Sequence, residues 1–340
     1  MVKNTLLTRM YLKNLSMLDE ETIDIEYYSL YNTPSTMQYC YLFLKGDYII
    51  MKKIIAMLLA LAMMACVFAG CSASQGEEDT TDYSAMTIEE LKPLLQTITE
   101  GKLTVATSPD FAPYEYYALA EDGTPTLAGF DVALAGYIAD YLGLELEIVP
   151  MDFDGTITEL GNKKCDLSMA GYSPDPDREI VMDFSDIYYA GGQSFVTVKG
   201  NEDKFPTLAD ANKAEYQIGA QIASIQYELA MEHTPDADIV TLTKVTDIIA
   251  ELLTNKLDGA FIETAVAETY AIVYTDLAVV HEVPYDQEGS VVGVSKDNGP
   301  LLAAVNLAIA SALEDGSMDR FVAEANDLAT GSIYEGLLEE

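Results

Sequence analysis

Arg178 stands in "GYSPDPDREIVMDFSDIYY", Gly171 to Tyr189, behind Asp175 and Asp177 and directly before Glu179. Arginine occurs only three times in the 340 residues, as Arg9, Arg178 and Arg320, so a guanidinium set among acids needs a reason. Its planar fork of N–H groups can grip both oxygens of a carboxylate, which a point charge cannot do. Asp175 followed by Pro176 reads as a helix N-cap and first helical position, with Asp177 and Arg178 in the first turn. A helix start already favours an anion, so a cation placed there is best explained by a carboxylate arriving from outside. The competing reading is an arginine neutralised by its own acidic neighbours.

Asp152 and Asp154 in "IVPMDFDGTI" suggest a second chemistry. An apolar strand ending in Asp-x-Asp-Gly-Thr resembles the nucleophile loop of haloacid-dehalogenase-type phosphatases, whose aspartates carry a phosphoaspartyl intermediate and hold Mg²⁺. Such enzymes share a second acidic loop as well. "EDGSMD", Glu314–Asp319, is the candidate here, and it follows an amphipathic helix rather than a strand. Cys165 reads as a small buried apolar residue, and His233 and His281 stand alone, so no metal or cofactor is expected.

These residues need elements to position them, and the pattern from Lys102 onward supplies an alternation. "KLTVAT", "LELEIVPM", "CDLSMAG", "QSFVTVKG", "YQIGAQ", "ADIVTL", "DGAFIE" and "AVVHEV" read as strands. "FDVALAGYIADYLG", "VTDIIAELLTNK" and "AVAETYAIV" read as helices, and "PLLAAVNLAIASALEDGSMDRFVAEAND" as a terminal helical segment that needs a sheet to cover. This is α/β with largely parallel sheets, in two blocks. With 49% hydrophobic and 22% charged residues the chain can bury real cores, and its net charge of −38 speaks against nucleic acid and anionic membrane surfaces as partners. Copies of so acidic a body repel one another, which favours a monomer.

The start reads as targeting. "MKKIIAMLLALAMMACVFAGC", from Met51, has two lysines, a short apolar run and small residues before Cys71, the pattern of an export signal. Phe68-Ala69-Gly70-Cys71 resembles the lipobox of bacterial lipoproteins, which implies acylation of Cys71 and a lipid anchor on the extracytoplasmic face of the cell membrane. Residues 1–50 make little sense ahead of such a signal; "KGDYII" is compatible with a translated ribosome-binding site, and Met51 is the expected start. The resulting division is 1–50 upstream extension, 51–70 signal peptide, 71–86 polar tether, 87–191 first lobe, 192–288 second lobe, and 289–340 return to the first lobe with C-terminal helices. Thr87 with Glu90 reads as a capping box opening the ordered part.

"GFDVALAGYIADYLG", the stretch "FDGTITELGNKKCDLSMAGYSPDPDREIVMDFSDIYY" and "NKLDGAFIETAVAETY" together resemble family 3 of the bacterial extracellular solute-binding proteins, which serve ABC importers. The resemblance runs from about Gly101 to Leu328. It implies a two-lobed periplasmic-binding-protein-like fold of type II, two sheets flanked by helices with a two-strand hinge near Ala190–Ser194 and Asp286–Ser290. It implies no catalysis but capture of a free amino acid by lobe closure, and delivery to a membrane permease. By the same resemblance Arg178 holds the α-carboxylate, with Gly171 and Ser173 in the same loop. Phe111 and Phe153 sandwich the ligand side chain; Ser224, Ile225 and Gln226 add carboxylate contacts from the second lobe; Glu263 receives the α-ammonium. Asp175 and Glu263 depart from the commoner threonine and aspartate, and the residues favour a polar neutral or basic amino acid over an acidic one. A dehydratase on this same fold is the remaining alternative beside the phosphatase.

Overall fold

The computed structural model describes residues 81–120, 122–285 and 289–332. The expected upstream extension, export signal, Cys71 and the first part of the tether lie outside them. Ahead of Thr87, Tyr83 and Met86 already find apolar surface and pack against the core. Thr87 and Glu90 form the capping box, the Thr87 amide donating to Glu90 Oε2 at 2.9 Å, and α1 (Ile88–Leu91) buries Leu91.

Two five-stranded sheets carry the body, and the chain visits the first, crosses to the second and returns. The first half contains β1 (Lys102–Thr107), β2 (Asp110–Phe111), β3 (Glu115–Leu119), β4 (Pro125–Ala128), α2 (Phe130–Leu142), β5 (Glu145–Pro150), α3 (Phe153–Gly161), β6 (Leu167–Tyr172) and β7 (Met182–Phe184). The second contains β8 (Gln193–Val198), β9 (Gln217–Gln221), α4 (Ile225–His233), β10 (Asp238–Leu242), α5 (Val245–Leu253), β11 (Gly259–Glu263), α6 (Thr264–Val273) and β12 (Leu277–Glu282). β13 (Val291–Ser295) re-enters the first sheet, followed by α7 (Gly299–Glu314) and α8 (Ser317–Ser332). The strand orders are β5-β1-β6-β13-β7 and β10-β9-β11-β8-β12, and β2, β3 and β4 form a small antiparallel sheet of their own.

In each large sheet four strands point one way and one opposes them: β13 lies antiparallel between β6 and β7, and β8 between β11 and β12. These are the two strands by which the chain enters a sheet without a preceding crossover helix, which is what a parallel neighbour would require.

Helix α2 shows why the elements hold. Phe130, Leu134, Ala135, Ile138, Ala139 and Leu142 are buried at helical spacing, and Gly143 ends the helix in the left-handed region with its amide on Ala139 O and Asp140 O. α7 buries Leu301, Ala304, Val305, Ala308 and Ile309 in the same core. Each large apolar side chain so buried contributes roughly 1.5–3 kcal/mol. In the second half Phe195 packs edge-on between Phe205 and Phe261, at 5.2 and 5.4 Å. The residues of interest gather at the carboxyl ends of co-directed strands β1, β6, β9 and β11, where open α/β sheets leave a crevice.

Candidate ligand-binding site

Arg178 does not sit in a regular helix. Asp175 folds back on the chain: its Oδ1 accepts from the Asp177 amide at 2.8 Å, and its carbonyl accepts from the Arg178 and Glu179 amides at 3.1 Å. The helix expected from Pro176 is therefore a single 3-10 turn, Arg178–Ile180. Arg178 is 6% exposed, and its guanidinium carbon lies 5.6 Å from the ring centroids of both Phe153 and Tyr172. Its Nε faces Asp175 Oδ2 at 3.5 Å, Nη1 donates to Ser173 O at 3.4 Å, and Nη2 reaches the second half to donate to Ala223 O at 3.0 Å. These contacts use three of its five N–H groups, leaving two for a further acceptor.

Ala223 immediately precedes the N-cap of α4. Ser224 caps that helix, its Oγ accepting from the Tyr227 amide at 3.2 Å and donating to Gln221 O at 2.7 Å. Ile225 is the first helical residue and half-buried, and the buried Gln226 donates through Nε2 to Gln193 Oε1 at 2.8 Å. The expected stretch 224–226 is thus a helix start turned toward Arg178 by the Ala223 carbonyl.

Glu263 ends β11 and caps α6 in one residue. Its Oε2 accepts from the Val266 amide at 2.9 Å, and its Oε1 from the Tyr114 hydroxyl at 3.1 Å and the Gly192 amide at 3.3 Å. Burial outweighs these donors and pushes its carboxyl up to about 7. Tyr114 comes from the first half, so this pair also spans the two halves.

The two expected aromatic faces are each backed by a tyrosine. Phe111 packs on Tyr114 at 5.3 Å and Phe153 on Tyr172 at 5.4 Å. Gly171 lies against the Phe111–Tyr114 pair: its φ is +58°, and a Cβ there would stand 2.7 Å from Phe111 Cε1. A side chain at that position is excluded both by backbone conformation and by the ring.

Several participants were not assigned a role from sequence. Tyr114, Tyr172 and Gln193 support expected residues. Asp131 accepts from the Gly171 amide at 3.1 Å and the Tyr188 hydroxyl at 2.7 Å, and burial lifts its carboxyl to about 6. The signal for it was an acid on the apolar face of α2. Glu115 is fully buried, and neither of its carboxyl oxygens meets an N–H or O–H donor among the described residues. Burial, then the neighbouring Asp131 and Asp110, push its carboxyl well above the usual range.

Asp152 and Asp154 are exposed at the opening of α3, and the Glu314–Asp319 stretch is the bend between α7 and α8. The phosphatase-like segment is therefore a helix start, and of its two exposed aspartates Asp152 lines a cavity with Asp110 of the same half and Lys244 and Thr246 of the other.

The model of the bacterial extracellular solute-binding proteins, family 3, matches residues 103–325. The arginine-binding extracellular protein ArtP of Bacillus subtilis (strain 168) is 32% identical over 223 residues, covering 64% of this chain and 84% of that protein. An amino acid ABC transporter substrate-binding protein from Streptococcus pneumoniae Canada MDR_19A, solved with L-arginine, is similar with a TM-score of 0.64 at 32% identity, covering 71% of this chain and 98% of that one. The ancestral amino acid-binding protein AncCDT-1, a precursor of cyclohexadienyl dehydratase, has a TM-score of 0.60 at 29% identity over 70% of this chain and 99% of its own.

Proposed function

The chain belongs to family 3 of the bacterial extracellular solute-binding proteins, and we propose that it captures a free amino acid with a cationic side chain and delivers it to the permease of an ABC importer. The observation that carries the reading is Arg178: buried, framed by Phe153 and Tyr172, bonded across the crevice to Ala223, and with two N–H groups left for an α-carboxylate. Gly171 and Ser173 from the first half and Ser224, Ile225 and Gln226 from the second complete that end. Glu263 takes the α-ammonium, and Phe111 and Phe153 flank the side chain.

The cationic preference rests on charge. Asp131, Asp175 and Glu263 are buried within this region and Arg178 is the buried cation among them, while the carboxyl of the neighbouring Glu115 is pushed well above the usual range. A ligand carrying two positive groups and one negative fits that balance, and an acidic side chain does not. The relatives named for arginine agree with it.

Segments 87–191 and 289–340 act as one lobe and 192–288 as the other, hinged where the chain crosses near Ala190–Ser194 and Asp286–Ser290; of these, 286–288 and 333–340 lie outside the described residues. The bridge between Tyr189 and Ser290 supports this placement. The protein works as a monomer held to the extracytoplasmic face of the membrane by lipid on Cys71. Replacing Cys71 with Ser leaves the body competent but unacylated and released; acyl incorporation that persists in that variant rules out this anchor.

Calorimetry of the purified protein against arginine, lysine, ornithine, glutamine and glutamate tests the function. The cationic members bind tightest on this reading. Tightest binding of glutamate overturns the side-chain preference, and absence of binding to any amino acid overturns the function. Conversion of a cyclic acid by the protein would favour the dehydratase instead.

A further inference from the structure

Helix α5 starts without a cap of its own. Its N-cap position is Lys244, whose side chain has no acceptor to offer and makes no capping bond. The missing group comes from the opposite half. Asp110, the first residue of β2, accepts from the Val245 amide at 2.5 Å through Oδ2, and the same oxygen receives Gln221 Nε2 at 3.4 Å. Oδ1 accepts from Ser108 Oγ at 2.8 Å, which fixes the carboxylate on its own side. The Asp110 backbone carbonyl takes a further bond from the Tyr270 hydroxyl at 3.2 Å. Val245, Gln221 and Tyr270 all belong to the second half, and Asp110 and Ser108 to the first.

We propose that Asp110 is a latch between the lobes: it caps α5 across the crevice and holds the closed arrangement through contacts made by the protein alone. A carboxylate at a helix N-terminus meets free N–H groups and the positive end of the helix dipole, so opening leaves α5 uncapped and separates Asp110 from all three second-half donors. None of these partners is among the residues assigned to the cargo. The latch therefore biases the open–closed balance equally for every cargo and for the empty protein.

The test reads that balance directly. Spin labels on Asp140→Cys in α2 and Glu232→Cys in α4, both exposed, report the separation of the halves in the full-length protein by pulsed electron resonance. In the empty protein, Asp110→Ala shifts the distribution toward long separations, the ratio of closed to open falling about tenfold, whereas Asp110→Asn, which keeps one acceptor oxygen for the Val245 amide, loses much less. Val245→Pro deletes the N–H at a helix position where proline is tolerated, and Lys244 already has the extended backbone that proline requires before it. It lowers the ratio similarly, and the double variant adds little. Circular dichroism melting checks that each variant folds, and Val245→Pro stands in for Asp110→Ala if the latter does not. A distribution unchanged in both Asp110→Ala and Val245→Pro overturns the latch, and so does full additivity of the two. Neither outcome depends on which amino acid is bound.

Discussion

Asp177 and Glu179, the acids that crowd Arg178 in sequence, are exposed, and Asp175 alone reaches its guanidinium. A guanidinium merely neutralised by neighbours would not be buried between two rings with N–H groups to spare. Arg178→Lys keeps the charge but loses the fork, and titration with arginine should show a loss on the order of 2–5 kcal/mol; unchanged affinity would remove Arg178 from the carboxylate site. Glu263 allows a pH prediction. Burial raises its carboxyl from 4.5 to about 7, so it is the ionised form that the folded empty protein disfavours. Its contribution to stability is greatest below about 4.5 and declines as pH rises toward 7, by roughly 3 kcal/mol in all. Glu263→Gln should therefore melt progressively better relative to the parent between pH 5 and pH 8. An arriving ammonium favours the carboxylate, so binding near pH 6.5 should release part of a proton. Calorimetry in two buffers of different ionisation enthalpy measures this, and the release should vanish in Glu263→Gln; an equal release in both proteins would place the ammonium elsewhere.

At the scale of elements, period and caps were legible from sequence. The alternating runs became β1, β5, β6 and β8 to β12, Gly143 closed α2, and Thr87 with Glu90 opened α1. Less legible was whatever depended on contacts distant in sequence. β2 has two residues, too few to show any period, and pairs only because β3 lies alongside it. The Asp175 side chain accepts from the Asp177 amide as an N-cap does, yet the turn at Arg178 runs for three residues only, because the chain passes into β7 at Met182. Asp110 finds its partners, the Val245 amide and Gln221, only where a segment far along the chain meets it. The site loops are built into these elements, so local damage should be felt as binding. Gly171→Ala forces a left-handed φ on a side chain that also meets Phe111, and should cost at least 1–2 kcal/mol of stability and weaken cargo binding more than Ser224→Ala. Ser224→Ala removes the cap of α4, worth about 1 kcal/mol, and leaves the crevice shape intact. Denaturant melts and titrations on both variants check the order; equal binding losses would mean that Gly171 does not shape the crevice.

Across the whole molecule, charge is distributed unevenly along the chain. Six basic and six acidic residues cancel within the first seventy positions, so the entire net charge of −38 belongs to the sequence from Cys71 onward. A field of that sign concentrates cations near the surface and depletes anions, within about one Debye length, roughly 8 Å at physiological salt. Its influence falls on encounter, while on the proposed reading the lifetime of the complex is set by buried contacts such as those of Arg178 and Glu263, which salt screens far less. The two rates should consequently respond differently. Raising ionic strength from about 20 mM to about 300 mM should slow arginine association severalfold and leave its dissociation rate nearly unchanged, since screening shortens the reach of the field without entering the closed crevice. Stopped-flow measurement of tyrosine fluorescence suits this chain, which has 22 tyrosines and no tryptophan. An association rate indifferent to salt would mean that the acidic surface does not steer the cargo, and a dissociation rate that climbs steeply with salt would mean that the ion pairs holding it are open to solvent.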